Sequence, residues 1–171
     1  MSDALERLCA DQSKRLGAAL TRLVDAEAAD ELVSGLARRR AAVWVESLGD
    51  MPIGFADLRA QAADAHGRGL PLVVENSLAT SFGCPACRLG ADVVVEFLTR
   101  VWPEGTGRCV ALSASKACPS DLRVALAALP SAVFDDTAVT SLVAALAAFP
   151  ARRRREDDAA QVVAAYLSCH P

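Results

Sequence analysis

The 171-residue chain is 53% hydrophobic but only 5% aromatic, enough apolar material for one core of Ala, Val and Leu without disulfides or a structural metal. Its 21 acidic and 18 basic residues leave a formal charge of −3, which excludes the broadly basic surface of a nucleic-acid binder. The apolar runs are too short for a membrane span, and the polar opening MSDALERLCADQSKRL does not read as an export signal, so a cytoplasmic protein with reduced, mostly buried cysteines is expected.

Residues from about 3 to 24 and from 26 to 40 are predicted as two helices, on an apolar stripe that includes Leu5, Leu8, Leu16, Leu20 and Leu23. A first strand is expected over 41–46. A helix through Phe55, Leu58, Ala62 and Ala65 then stops at Gly67 and Gly69 before a second strand over 70–76. Proline is favoured in a first helical turn, so a short helix is expected to begin at Cys84-Pro85 and feed a third strand over 91–97. A fourth strand is expected over 108–113. All four are nearly continuous in apolar character, as strands covered on both faces are, so the simplest sheet is parallel with a right-handed βαβ crossover. Helices follow over 119–129, 136–149 and 155–168, with Pro130 and Pro150 as breaks. The organisation is one domain over 1–171: a helical lead-in to residue 40, an α/β core over 41–115 and C-terminal helices over 119–171.

Several constellations carry possible chemistry. Cys84-Pro85-Ala86-Cys87 is a C-x-x-C unit at a predicted helix N-terminus, where thiol pKa values fall, so a redox pair stands beside incidental packing. A zinc site would need two further ligands from the scattered Cys109, Cys118, His66 and His170, and no metal is assigned. The basic runs Arg38 to Arg40 and Arg152 to Arg155 each lie near acids, which favours solvated helix ends over anion sites. His66 is expected to complement a helix C-terminus, and Trp44 and Trp102 to pack in core and loop.

The segment LPLVVENSLATSFGCPACRLGADVVVEFLTR, residues 70–100, holds the most specific pattern. Glu75-Asn76-Ser77, Ala79-Thr80, the run from Leu89 to Val95 and Phe97-Leu98-Thr99-Arg100 follow in order. This resembles the Cys/Met-metabolism family of pyridoxal-phosphate (PLP) enzymes, the cystathionine synthase and lyase group. Their strand ends in an Asp-Asn-Thr-type motif and is followed by Leu-Gly-Ala-Asp-Val-Val-Val and Ser-x-Thr-Lys. Residues 43–58, with Glu46, Ser47, Asp57 and Leu58, and the run from Leu142 to His170-Pro171 extend the likeness over about 43–171, with a weaker case for the first 40 residues. The resemblance implies a three-layer partial PLP-transferase large domain, with a mostly parallel sheet of about four strands flanked by helices.

It also implies site positions that have changed. Arg100 stands where the Schiff-base lysine would be, and a guanidinium stays protonated and cannot form that link. Glu75 replaces the aspartate that pairs with the pyridinium nitrogen, Asp50 replaces a cofactor-contacting asparagine, and Phe97 replaces a phosphate-contacting serine, while Asn76 and Thr99 remain as cofactor-site positions. Residues 102–107 replace a Gly-Gly-His-Ser segment. The Ser113-Ala114-Ser115-Lys116 sequence offers an alternative lysine, one strand too late. The family's N-terminal arm, phosphate-holding turn and smaller domain have no visible counterpart. The expectation is therefore a truncated, degenerate pseudoenzyme, leaning away from catalysis and binding no cofactor alone. It would act as a structural or regulatory subunit in a homo-oligomer, or with a fuller PLP-type homologue. A composite PLP-dependent carbon–sulfur lyase or transsulfuration-type enzyme and a Cys84/Cys87 redox module are the alternatives.

Overall fold

The computed structural model describes residues 3–38, 41–49, 53–105 and 109–170. Helix α1 (Asp3–Leu16) stops at Gly17, which takes a φ of +77° and leaves no room for a side chain, since a Cβ there would lie 2.5 Å from Arg88 Cγ. The chain then enters strand β1 (Leu20–Asp25), where the leucine spacing predicts more helix. Leu20 and Leu23 continue the stripe in sequence, but all six residues of β1 find antiparallel partners on another strand, and that tertiary pairing outweighs local periodicity. The lead-in is thus α1, β1 and α2 (Ala26–Arg38), and positions 39 and 40 lie outside the described residues.

Strand β2 (Val43–Glu46) precedes a small hairpin, β3 (Leu48–Gly49) and β4 (Gly54–Phe55). Helix α3 (Leu58–Gly67), capped by the Asp57 carboxylate accepting from Ala60 N at 3.1 Å, returns to β5 (Leu72–Glu75). A one-turn helix α4 (Thr80–Gly83) follows. The helix predicted at Cys84-Pro85 is instead a 3₁₀ turn, Ala86–Leu89, closed by Gly90 at φ +107°. A Cβ on Gly90 would sit 2.5 Å from Ala62 Cβ, so the turn is pressed onto α3 too closely for anything but glycine. Strand β6 (Val93–Phe97), a 3₁₀ turn at Pro103–Gly105, β7 (Cys109–Ala114), α5 (Ser120–Ala128) and α6 (Asp136–Cys169) complete the order.

The main sheet has five strands in the order β1-β7-β6-β5-β2, one more than predicted. β2, β5 and β6 pair in parallel, whereas β7 is antiparallel to both β6 and β1. β1 therefore points the same way as β2, β5 and β6, and the sheet is mostly parallel in direction with one reversed strand. The reversal follows from the short return after Phe97, whose described part holds only a 3₁₀ turn, because a parallel return needs a longer crossover.

Alternating side chains divide the core into layers, as the period-2 geometry of a strand requires. Val73, Val93, Val95, Val110 and Leu112 face α2 and α5. On the other face, Leu72, Val74 and Val94 meet α3 and the 3₁₀ turn, while Leu23, Cys109 and Ala111 meet α1 and α6. The result is the predicted α/β class, a central sheet between helical layers. At the β2 edge, Trp44 is 44% exposed rather than in the core, because no strand or helix covers that flank among the described residues. Trp102 is buried, its Nε1 donating to Ser141 Oγ at 2.9 Å.

Pro150 does not break the last helix. Proline removes one backbone donor, but Leu142, Leu146 and Phe149 are buried before it, and Arg152 after it donates through Nη2 to the carbonyls of Arg100 and Val101. Beyond Arg153, residues 154–170 are exposed. A stack ties both ends of the chain together: the Arg15 guanidinium lies 4.3 Å from the Phe82 ring, Phe82 packs at 4.8 Å on Phe149, and Arg152 covers Phe149 at 5.0 Å.

Candidate functional site

Because β1, β2, β5 and β6 run together, their carboxyl ends share one sheet edge, where open α/β sheets bind ligands. This edge gathers Asp25 at the end of β1, Glu46 and Ser47 at the end of β2, Glu75 to Ser77 at the end of β5, and Phe97 to Arg100 at the end of β6. The structure thus brings together Glu75, Asn76, Thr99 and Arg100. Asp50 lies outside the described residues.

Glu75 is half-buried and turned back on its own chain. Its Oε1 accepts from Ser77 N at 3.0 Å and from the Ser77 hydroxyl, and that hydroxyl in turn accepts from Phe97 N at 2.8 Å. These contacts hold one oxygen of the carboxylate in a local turn. Asn76 is fully buried, with Nδ2 donating to the Cys84 carbonyl at 3.1 Å and Oδ1 without a partner. Thr80 sits at φ +59°, an unusual conformation for a β-branched residue, held by its N–H donating to the Asn76 carbonyl at 2.6 Å. Thr99 and Arg100 are exposed on the turn after β6.

Sequence reading missed a buried carboxyl beside this edge. Glu96 is 1% exposed, and its Oε2 accepts from Gln12 Nε2 and Ser81 N, both at 2.9 Å, while Ser81 Oγ donates to Gln12 Oε1 at 2.8 Å. Burial pushes the Glu96 pKa up to about 8, against the opposing effect of the Ser81 and Gln12 donors and with a smaller upward push from the Glu75 charge. A glutamate ending a valine run signals only a strand end in sequence. Its burial comes from sharing the inward face with Val94, under α1 and α4.

Lys116 is at the wrong end of the sheet. It lies two residues past Ala114, which pairs with Val93 at the start of β6, whereas Arg100 follows the end of the same strand. At about 3.3 Å per residue the two edges are roughly 13 Å apart, so Lys116 cannot stand in for a lysine at position 100. The chain's other lysine, Lys14, lies in the last turn of α1.

The thiols lack the activating geometry predicted for them, since a four-residue 3₁₀ turn replaces the helix N-terminus. Burial raises the pKa of Cys84, and burial with the Asp92 charge raises that of Cys87 to about 12. His66 Nε2 lies 2.7 Å from Asp92 Oδ2, and this buried carboxylate also accepts from Leu72 N at 2.8 Å, so the pair clamps α3 to the starts of β5 and β6. Among the described residues no three His, Cys, Asp or Glu side chains converge as a metal site.

Residues 3–171 match the family described as Cys/Met metabolism PLP-dependent enzyme. The chain belongs to that family. The match reaches back to residue 3, beyond the 43–171 stretch where the motifs alone were clear, and β1 of the main sheet lies in that added part. The homocysteine/cysteine synthase of Kluyveromyces lactis is 33% identical over 95 residues, 55% of this chain and 21% of that enzyme. A cystathionine gamma-lyase of Dictyostelium discoideum is 31% identical over 87 residues, 51% of this chain and 22% of the lyase. Among solved structures, a methionine gamma lyase from Micromonospora echinospora superposes with a TM-score of 0.68 at 19% identity, over 86% of this chain and 52% of that one. The cystathionine gamma synthase of Xanthomonas oryzae pv. oryzae, solved with cystathionine, gives 0.68 at 15% identity, over 88% and 52%. This family member therefore spans about half the length of those solved relatives and aligns with about a fifth of the curated ones.

PLP is the family's cofactor, and the carboxyl edge of this member does not fit its covalent binding. Position 100 offers a guanidinium instead of an amine, and Ser77 takes one of the two Glu75 carboxylate oxygens. Helix α2, which starts at the same edge, opens with Asp25-Ala26-Glu27, setting two carboxylates where a helix N-terminus would otherwise attract a phosphate. Among the described residues no helix is long and apolar enough to cross a membrane.

Proposed function

We propose that this chain is a non-catalytic member of its family that works by association, as a structural or regulatory subunit. The observation that carries the reading is the absence of an amine at the carboxyl edge: Arg100 occupies the position after β6, and Lys116 lies at the opposite edge of the sheet. Exposed apolar side chains support association. Trp44 flanks the unpaired outer edge of β2, Ile53 and Phe55 stand on the adjoining hairpin, and Val162, Val163, Tyr166 and Leu167 form a helically spaced stripe near the end of α6. The occupant is a second copy or a fuller PLP-type homologue. The test is a PLP titration followed by visible absorbance, with borohydride reduction and peptide mapping. The expected result is no stoichiometric lysine adduct, and a one-to-one adduct on Lys14 or Lys116 refutes the reading.

A second reading is favoured by that open edge of β2, beside which a neighbour could complete the sheet: a composite site to which this chain adds Asn76, Thr99 and Arg100. Carbon–sulfur chemistry that appears only on mixing with a fuller homologue, and that changes in an Arg100→Ala variant, would select it.

A further inference from the structure

The basic run at 152–155 divides into two halves. Arg154 and Arg155 are exposed, as a solvated helix face would have them, but Arg152 and Arg153 are half-buried against the body of the protein. Together with Arg100 they wall a cleft of about 300 Å³, completed by Pro103, Phe149 and Glu156, at the carboxyl edge of the sheet.

The Arg152 guanidinium is held chiefly by contacts that do not neutralise it. Arg152 donates to the Arg100 and Val101 carbonyls and lies over the Phe149 ring, so its plane is fixed by backbone and ring. Arg153 Nη2 lies 3.9 Å from where a Cβ on Gly83 would stand, against the end of α4. Arg100 makes no ion pair among the described residues.

The competing explanation is that the carboxylates one turn later satisfy the cluster. Arg152 Nε is 3.7 Å from Glu156, beyond hydrogen-bond range, and Arg153 Nε is 3.1 Å from Asp157 at an angle that leaves this buried N–H without a hydrogen bond. Both carboxylates are about half exposed to water, which weakens their hold. Only Glu156 lines the cleft, so three cations face one anion there.

Fork-shaped donors around a small cleft match a tetrahedral oxyanion, whose several oxygens can accept from more than one guanidinium at once. We infer that this cleft binds the phosphate group of a small molecule, clamped between Arg100 and Arg153 against a back wall of Arg152. The volume admits one phosphate and a modest organic group, and the chain's net negative charge argues against an extended polyanion. The site does not depend on whether the protein is catalytic.

The test is an NMR titration of the ¹⁵N-labelled full chain, at fixed ionic strength, with inorganic phosphate and separately with glycerol 3-phosphate. Saturable shifts are expected at amides near Arg100 and near Arg152 and Arg153. Arg100→Gln and Arg153→Gln should each weaken binding by about tenfold, the loss of one charge-assisted contact. Arg154→Gln removes the same charge from the exposed side of the helix and should leave the affinity unchanged. Equal binding of both probes would show that phosphate alone suffices, and tighter binding of the ester would identify an organic phosphate; either supports the site. Shifts that do not saturate, or an Arg154→Gln loss as large as that of Arg153→Gln, overturn it in favour of diffuse charge. If Arg153→Gln fails to fold, Arg100→Gln on its exposed turn decides against the same Arg154→Gln control.

Discussion

Replacing Glu96 with glutamine should make the protein more stable in mild alkali, and by an amount that depends on pH. In the folded chain Glu96 is fully buried, with two neutral donors on Oε2 and none on Oε1. Burial disfavours the charged carboxylate, and despite the opposing donors this raises its pKa from 4.5 to about 8. Between those values the folded state holds a proton that the unfolded chain has lost, so stability falls as pH rises and levels off above about pH 8. At ~1.4 kcal/mol per pH unit for a full proton difference, tapering near the folded pKa, the loss between about pH 6 and pH 8 is about 2 kcal/mol. Glu96→Gln keeps an oxygen for Gln12 and Ser81 and does not titrate. Urea denaturation of both proteins across that range measures the difference directly, with other titrating groups cancelling. A gap between variant and wild type that stays constant with pH, or a variant less stable at pH 8, would refute the reasoning.

Gly90→Ala should cost about 2 kcal/mol in the same assay, because it joins a left-handed backbone to a contact too close for a methyl group. Asp92→Ala should destabilise by about 3 kcal/mol, since it strips a buried acceptor from Leu72 N, while His66→Ala, at an exposed position, should cost less than about 1 kcal/mol; similar losses for both would be inconsistent with Asp92 acting as the clamp. Near neutral pH, iodoacetamide should label the exposed Cys169 well before Cys84 and Cys87, whose thiolates are disfavoured by burial, and mass spectrometry of the time course reads the order. Early labelling of Cys87 would revive the redox reading.

Three of the four predicted strands were legible because continuous runs such as Val93 to Val95 suit a sheet covered on both faces, whereas β2 lies at the sheet edge with alternate residues exposed. β1 was not, because Leu16, Leu20 and Leu23 keep a helical spacing across Gly17, and only the antiparallel partner β7, nearly ninety residues later, resolves the ambiguity. With β1 hidden, Asp25 and Glu27 could not be placed at the carboxyl edge, and the electrostatic misfit there stayed invisible. Pro150 misled for the opposite reason: a local rule about helix interiors was overridden by burial before it and an arginine anchor after it. The likeness that located Glu75, Asn76, Thr99 and Arg100 brought together residues that do share one edge. It could not show that Glu75 is bound by Ser77, because that depends on the turn after β5.

The Arg15, Phe82, Phe149 and Arg152 stack also bears on how the chain reaches and leaves its native state. About seventy residues separate Arg15 from Phe82, and as many separate Phe82 from Phe149, so the stack closes two long loops whose entropy must be surrendered before any ring contact offsets it. Contacts of that span are expected to form late, after the nearer β5 and β6 neighbours have met. Interactions made only after the transition state slow escape from the folded form while leaving the approach to it nearly unchanged. Weakening the stack should therefore appear as faster unfolding, with the refolding rate almost untouched.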